Sequence, residues 1–282
     1  MPEHVYTTPE GRAYLEKSRT AHKQPFYYTD ELRALLMGSP EYQRCVGYDQ
    51  RNPHHCFTLD QHMQETEKYI EDMAPNCNWL ACAAAIHDIG KPEKAFKDPK
   101  TGYYRYFGHA AASADIAHDL LTRLGLPEDI TETVCWFIRH HDDFISFVLE
   151  PIPDHPYRRT VSVQNIAEVI LMSYLDIPGS DIDVNATVRF LLTGRKPAWG
   201  HVAKTWSLRH QLPDVPDARN AFTKLLWLCK ADSLSQAEVT CKPDGSIQTT
   251  RAEKVAVDEK ILELLPDAIL LAETALKKIT RE

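Results

Sequence analysis

The chain has 282 residues, of which 43% are hydrophobic and 26% are charged, so it can form a packed core and is not expected to be disordered. Its 32 basic and 40 acidic residues give a net charge of −8, which argues against strong nucleic-acid binding and leaves room for a small anionic substrate. Seven cysteines without a repeated spacing, an N-terminus unlike a secretory signal and apolar runs too short for a bilayer favour a cytoplasmic protein without a membrane segment.

The predicted elements are nearly all helices. Residues 1–53 are rich in Tyr, Pro, Thr and charge, and we expect an arm or lid with one helix at 29–37. From Thr58 onward the 3.6-residue hydrophobic period dominates, which predicts an all-α body. The helices predicted there cover 59–72, 78–87, 109–124, 129–148, 163–175, 185–192, 218–238 and 257–279, the last broken or kinked near Pro266.

These elements predict a single helix bundle with additions at both ends. The bundle is expected at 54–240, with an insertion of unknown role at 161–220, and a C-terminal helical tail is expected at 241–282. The tail has an apolar stripe from Ile261 to Ile279 that can pack on the body or on a partner chain. An oligomer formed through the C-terminal helix is therefore one expectation.

One loop, at 90–108, is more basic than the rest of the protein. Between Lys91 and Arg105 there are five cations and two anions, a net charge of +3. Most of these lysines fit a solvated loop, which is the usual role of a run of charges. Lys91 differs because it follows an apolar helix and a His-Asp pair.

Histidines and aspartates occupy positions where the helical period places core residues. A polar residue on a buried stripe is either costly or a ligand. Any one of these residues has an ordinary explanation as a hydrogen-bonded core residue. The positions, each on or beside an apolar stripe, are His62, His87, Asp88, His109, His141 and Asp232.

Taken together, these six residues predict a shared cation site. Several polar groups buried on separate helices are stabilised if they converge on a metal ion. Imidazole and carboxylate ligands without thiolate suit Mn, Fe, Ni, Co, Mg or Zn. Six ligands exceed the need of one catalytic ion, so two metals are the natural number, with Asp88 as a candidate bridge.

The motifs that contain these residues match a known family. The segments IHDIGKP, YFGHAAASADIA, FIRHHDD and LCKADSLSQ, in this order after His62, resemble the HD superfamily of metal-dependent phosphohydrolases. The sequences of these motifs are most similar to the HD domain attached to bacterial tRNA nucleotidyltransferases, and the similarity covers about 52–238. No paired-carboxylate motif follows Gly38-Ser39, so the polymerase head is not expected, and no Gly-Tyr-Pro follows the RHH segment, which argues against the HD-GYP class.

The resemblance implies an all-α fold, an HD-type helix bundle with the metals at its centre, and a ligand set. It assigns one metal to His62, His87, Asp88 and Asp232, and the other to Asp88, His109 and His141. His140 is an alternative to His141, because one residue changes the direction on a helix by about 100°. His141 is preferred because it shares the stripe of Val134 and Ile138 and because the family pattern is Arg-x-His.

The expected activity is hydrolysis of a phosphoester in a nucleotide or nucleotide-like substrate, as a phosphodiesterase or phosphatase in the EC 3.1 class. A hydroxide bridging two divalent metals would attack phosphorus beside Asp88. Lys91 could bind a phosphate oxygen, Arg139 could make a bidentate phosphate contact, and His140 could protonate the leaving oxygen. Candidates for stacking a base are His54, His55, Tyr104, Tyr106 and Trp136.

Two other functions fit the same residues. Some HD relatives use a di-iron centre to activate oxygen, and a non-catalytic module could use the metals only to hold its helices together. The cations near the site, Lys91 and Arg139, favour hydrolysis over the first alternative.

Overall fold

A computed structural model describes residues 26–152, 157–176, 183–194, 218–241 and 245–280. Helices form most of these residues, which confirms the prediction of a mostly α protein. The helices are α1 Asp30–Gly38, α2 Pro40–Gln43, α3 Leu59–Met73, α4 Asn78–Ile86, α5 Lys91–Lys94, α6 His109–Arg123, α7 Glu128–His140, α8 Val163–Leu175, α9 Val184–Thr193, α10 Ala218–Leu234 and α11 Arg251–Thr280.

Local sequence signals explain where several helices begin. Thr29 accepts a hydrogen bond from the backbone of α1, and Thr58 with Gln61 forms a capping box at the start of α3. Ser162 caps α8 in the same way as Thr29 caps α1. These caps satisfy backbone N–H groups that have no partner inside the helix, so the predicted starts are accurate here.

Three predicted helices have different limits in the structure. The helix predicted at 129–148 ends at His140, because the chain turns through 141–146. Asp142 and Asp143 would face the negative end of the helix dipole, which disfavours continuation. The helix predicted at 218–238 ends at Leu234. The last helix starts at Arg251 and continues through Pro266 instead of breaking there.

Short strands were not predicted from the sequence. They form three pairs within the described ranges: antiparallel β1 Phe96–Lys97 with β2 Tyr104–Arg105, parallel β3 Phe147–Val148 with β4 Arg159–Thr160, and antiparallel β5 Val239–Cys241 with β6 Ile247–Thr250. The β1–β2 hairpin lies in the basic loop that the sequence analysis singled out. Each pair is too short to form a sheet with a core of its own.

The described residues divide into two compact units. The first unit comprises residues 26–145 and the described part of 224–259. In it α3 packs on α4, α4 on α7, α7 on α6, and α6 on α5. Buried apolar residues of α4, from Leu80 to Ile86, form the centre of this unit. A helix that is apolar all round is buried on all sides, which fits this position.

The second unit contains the described residues of 146–223 and 260–280. In it α8 packs on α9, and Tyr174 contacts Phe222 edge to face. The predicted insertion at 161–220 includes α8 and α9, whereas its residues 195–217 lie outside the described ranges. The boundaries predicted at 53/54 and 240/241 stay predictions.

The ends of the described chain are anchored. In the predicted arm, whose residues 1–25 lie outside the described ranges, Arg33 forms a double hydrogen bond to the buried Glu67 of α3. In the tail, Ile261, Leu265 and Ala272 are buried within the chain, so an oligomer through this helix stays a prediction. Across the described segments, no helix combines the length and the apolar character needed to cross a bilayer.

Candidate metal centre

The six residues of the predicted metal site converge in the first unit. His62 lies in α3, and Asp232 lies in the last turn of α10. His87 and His141 directly follow α4 and α7, and His109 is the first residue of α6. Three of these histidines therefore lie at helix ends, where the backbone has groups without helical partners.

One half of the cluster, which we name site A, contains His62, His87, Asp232 and one oxygen of Asp88. Asp88 Oδ2 lies 3.3 Å from His62 Nε2 and 3.3 Å from His87 Nε2. Asp232 Oδ1 lies 2.9 Å from His62 Nε2 and 3.8 Å from His87 Nε2. Two imidazoles and two carboxylates thus face one point.

The other half, site B, uses the second oxygen of Asp88. Asp88 Oδ1 lies 3.0 Å from His109 Nε2 and 3.5 Å from His141 Nε2, and these two nitrogens are 3.2 Å apart. Asp88 is 1% exposed and lies between the two sites. In each of the triads His62–His87–Asp88 and Asp88–His109–His141, the donor atoms lie within 4.8 Å of one another.

Hydrogen bonds of the ring Nδ1 atoms orient all four histidines. His87, His109 and His141 each direct Nδ1 to the carbonyl oxygen three residues earlier, at 2.6–2.8 Å, and His62 Nδ1 faces the carbonyl of Ser235 at 3.2 Å. A carbonyl oxygen only accepts, so Nδ1 carries the proton and donates. In the neutral rings, four Nε2 lone pairs therefore point into the cluster, toward carboxylate oxygens.

The buried acceptor atoms of the cluster fit a cation, and apart from the ion pair between Asp88 Oδ2 and Lys91 they face one another. Nε2 of His62, Nε2 of His87 and both oxygens of Asp88 are buried and make no hydrogen bond of acceptable geometry within the described structure. Unpartnered buried acceptors are costly, and a divalent ion coordinated by them removes that cost. The donor set of imidazole nitrogen and carboxylate oxygen is consistent with a divalent metal.

Electrostatics in the cluster favour a positive charge. Burial alone would lower the pKa of His62 and of His87, but contacts with Asp88 and Asp232 outweigh it and raise each to about 9. Burial would raise the pKa of Asp88, but Lys91 and the histidines hold it well below its ordinary value. Protons on the histidines can thus supply the charge that a metal would otherwise supply.

Lys91 is buried and belongs to the cluster. Its Nζ lies 2.5 Å from Asp88 Oδ2, donates to Gln50 Oε1 at 3.1 Å and lies 3.4 Å from His55 Nε2. Tyr106 packs its ring beneath the same ammonium, at 5.7 Å. At 5% exposure, Lys91 does not fit the solvated-loop interpretation of its segment.

Arg139 and His140 lie outside these contacts. Arg139 pairs with Asp115 on α6 at 2.7 Å. His140 directs Nδ1 to Asp143 at 2.8 Å and packs its ring on Trp136. Between the two adjacent histidines, the structure therefore brings His141 and not His140 into the cluster. The catalytic roles of Arg139 and His140 stay predictions that the geometry does not support.

The aromatic candidates for base stacking are mostly engaged in packing. Tyr106 is buried and donates its hydroxyl to the Gln50 carbonyl, and Trp136 packs on Phe137 and His140. Tyr104 is partly exposed, with the Arg51 guanidinium over its ring. His54 bonds to Thr240 and to Lys254, whereas His55 touches His62 and Lys91.

Sequence reasoning missed three polar residues beside the cluster. Asp142 contacts both histidines of site B, Gln50 holds Lys91, and Gln236 directs its amide to both oxygens of Asp232 at 3.3–3.4 Å. Lys254 contacts the amide oxygen of Gln236, which fixes the amide nitrogen toward Asp232. Only Asp142 had a signal in the sequence, since it directly follows the RHH segment.

Comparisons with known proteins agree with this geometry. The HD domain family model matches residues 59–173. The CC-adding tRNA nucleotidyltransferase of Thermus thermophilus is 33% identical over 105 residues, which cover 37% of this chain and 24% of that protein. The A-adding tRNA nucleotidyltransferase of Deinococcus radiodurans is 27% identical over 132 residues, or 47% of this chain and 29% of that protein.

A third relative has a different name. The bifunctional uridylyltransferase/uridylyl-removing enzyme of Gluconobacter oxydans is 28% identical over 120 residues, covering 36% of this chain and 11% of that protein. In all three relatives the match is limited to less than a third of their length. The similarity therefore concerns a shared domain and not the whole of these proteins.

The helical fold and the His-Asp cluster are those expected from the resemblance to the HD superfamily. More particularly, residues 59–173 match the HD domain model, and this segment contains His62, His87, Asp88, His109 and His141. The predicted resemblance to HD proteins, with tRNA nucleotidyltransferases among the similar proteins, is confirmed.

Proposed function

We propose that this protein is a phosphohydrolase that cleaves a phosphoester of a nucleotide or nucleotide-like substrate with two divalent ions, one in site A and one in site B. The observation that carries the proposal is the convergence of four Nε2 lone pairs on the two oxygens of the buried Asp88. Two divalent ions at such a pair of sites supply Lewis acidity toward a phosphoryl group and ionise water near neutral pH.

The exposure of the cluster indicates how a substrate approaches. The side chains of His62, His87, Asp88 and His141 are 0–1% exposed, whereas His109 is 11% and Asp232 is 13% exposed. The cluster thus reaches solvent beside His109 and Asp232. A phosphoryl group is expected to enter on that side, with the deeper residues holding the ions.

Lys91 has two roles in this proposal. It holds the Asp88 carboxylate in place and offsets part of its charge, since its ammonium contacts Asp88 directly. Its other contacts, with Gln50 and His55, are to neutral groups that a phosphate oxygen can replace. Lys91 can therefore bind a phosphate oxygen as negative charge develops there, without leaving Asp88.

The relatives support hydrolysis over the two alternatives. One class of relatives is named a bifunctional uridylyltransferase/uridylyl-removing enzyme, and a uridylyl group carries a phosphate. A buried lysine at the cluster also suits a phosphate better than molecular oxygen. A di-iron oxygenase would instead consume oxygen only with iron bound, and a non-catalytic module would show no turnover with any metal.

The test is a substrate panel on the purified protein loaded with Mn²⁺. It should contain p-nitrophenyl phosphate, bis(p-nitrophenyl) phosphate, 2′,3′-cyclic nucleotides, 5′-mononucleotides and dinucleotides. We expect turnover of at least one phosphoester, and we expect His87→Gln to lower it by about 100-fold or more because it removes a ligand. His118→Gln is the matched control, since His118 is 47% exposed and pairs with Glu132; its activity should stay within about twofold of the parent.

Two results would contradict the proposal. One is a metal-loaded parent that cleaves no member of the panel. The other is a His87→Gln variant as active as the parent. Oxygen uptake measured on the iron-loaded protein separates the oxygenase alternative, which predicts uptake without phosphoester cleavage.

A further inference from the structure

Site A and site B are alike in their histidines and differ in the carboxylates expected from the sequence. Site A has a second carboxylate, Asp232, in addition to its share of Asp88. The ligand set predicted for site B has only Asp88, His109 and His141. The structure places a further carboxylate at that position, from the residue that directly follows His141.

Asp142 lies against both histidines of site B. Its Oδ2 is 3.2 Å from His109 Nε2, and its Oδ1 is 3.7 Å from His141 Nε2. In site A the corresponding distances from Asp232 to its two histidines are 2.9 and 3.8 Å. The two aspartates therefore lie at similar distances from their histidines, although Asp232 uses Oδ1 toward both rings and Asp142 uses a different oxygen toward each.

These spacings fit donors around a single ion. With metal–ligand bonds of about 2.1 Å, neighbouring donors lie about 3.0 Å apart in an octahedral site and about 3.4 Å apart in a tetrahedral site. The distances from Asp142 to the histidines of site B fall near this range, as do those from Asp88 Oδ1. Asp88 Oδ1 is also buried without a hydrogen-bond partner in the described residues, and it lies 3.0 Å from the same His109 Nε2 that Asp142 contacts.

Charge gives a second reason for a carboxylate here. With neutral histidines, Asp88 and Asp232 contribute −2 and Lys91 contributes +1, so two divalent ions leave the cluster at +3. Asp142 lowers this to +2. Since uncompensated charge at a largely buried cluster is costly, a fourth ligand with a negative charge stabilises the second ion.

On these grounds we infer that Asp142 is a ligand of the divalent ion in site B and completes a site with the same composition as site A. The inference rests on the proposed two-metal function and adds a ligand that the sequence motif does not include. Asp142 is 27% exposed, so it also forms part of the edge past which a substrate enters.

The adjacent aspartate provides a matched control. Asp143 is 28% exposed, has the same charge and is the next residue in the turn, and its carboxylate contacts His140 Nδ1 at 2.8 Å. Asp142→Asn and Asp143→Asn therefore remove the same charge at the same depth. Only the first is expected to change metal binding at site B.

The experiment measures Mn²⁺ binding to chelator-treated protein by titration calorimetry and by electron paramagnetic resonance. The parent should bind two ions and show the spectrum of a coupled Mn²⁺ pair. Asp142→Asn should lower the affinity for the second ion by about tenfold or more and leave the affinity for the first ion within about twofold of the parent. At one equivalent of Mn²⁺, the spectrum of this variant should be that of isolated Mn²⁺. Asp143→Asn should bind as the parent does.

The outcomes separate this inference from the proposed function. If the parent binds two ions and Asp142→Asn binds the second as tightly as the parent, or no more weakly than Asp143→Asn, the inference is wrong and the proposed function stands. A parent that binds one ion overturns the inference and also the two-ion form of the proposed function. A parent that binds no Mn²⁺ overturns both, and circular dichroism confirms that each variant is folded.

Discussion

At the scale of single residues, the burial of Asp258 of α11 lowers the stability of the fold, and the metal cluster does not account for this burial. It is 5% exposed, and its Oδ2 has no hydrogen-bond partner among the described residues. Burial raises its pKa to about 7, with a further rise from the nearby Asp232 that a bond from Ser233 only partly opposes. The folded protein therefore favours the neutral carboxyl group.

Asp258 makes the stability of the metal-free protein depend on pH. The unfolded chain loses this proton near pH 3.8, the folded chain near 7, so this residue lowers the free energy of unfolding as pH rises through that interval. We expect Asp258→Asn to raise the free energy of unfolding by about 1–3 kcal/mol at pH 8 and by much less at pH 4.

Urea denaturation of chelator-treated protein at both pH values measures this effect. The control is Glu259→Gln, because Glu259 is 59% exposed and pairs with Lys230 at the surface. Its effect should stay within about 0.5 kcal/mol at either pH. Equal gains for the two variants at pH 8 would show that the buried carboxylate has no special cost.

The sequence identifies residues better than it identifies their surroundings. His62, His87, Asp88 and His109 stand out because each interrupts or ends an apolar stripe. Gln236, in contrast, was predicted to lie inside a helix at 218–238, and only the folded chain shows that it follows α10 and that its amide faces Asp232. Residues that position a ligand from a loop leave no periodic signal.

At the scale of elements, Gly90 sets the distance between the His-Asp segment and α6. A Cβ at this position would lie 2.5 Å from the backbone nitrogen of Ser113 and 2.9 Å from the carbonyl carbon of Ala112. The Gly90 N–H also donates to the Ser113 hydroxyl at 2.9 Å. This close approach keeps Asp88 within reach of His109 at the start of α6.

Gly90→Ala should therefore push α6 away from the His-Asp segment. Overpacking of this kind lowers the free energy of unfolding by about 1–3 kcal/mol. We expect the affinity for Mn²⁺ to fall as well, because Asp88 and His109 move apart. Gly38→Ala is the control: no atom lies within 4 Å of a Cβ there. Urea denaturation and Mn²⁺ titration of both variants test this, and equal effects would contradict the proposed contact.

The helices were predictable where caps and the apolar period agree, and less so where only the period continues. The start of α3 at Leu59 and both limits of α8 were predicted from the apolar period, and Thr58 and Ser162 cap the two helix starts in the structure. The apolar stripe after α7 continues through Phe144, which is buried, so the period alone extends the helix past His140. Phe144 instead lies in a turn and is buried from there. The apolar period cannot distinguish such a residue from one that is buried on a helix.

At the scale of the whole molecule, the fold class follows from the period of the sequence, whereas the candidate metal centre depends on contacts between distant segments. His62 and Ser235, which meet at 3.2 Å, are 173 positions apart in the chain. The sequence predicted that the six residues meet only because their common explanation was a shared ion. The division into two units and the pairing of short strands had no comparable signal.

The central claim, that the cluster holds two divalent ions bridged by Asp88, has a direct test in anomalous diffraction from crystals grown with Mn²⁺. The account predicts two anomalous peaks about 3.5–4 Å apart, one between His62 and His87 and the other between His109 and His141. Absence of any peak at the cluster at saturating Mn²⁺ would contradict it.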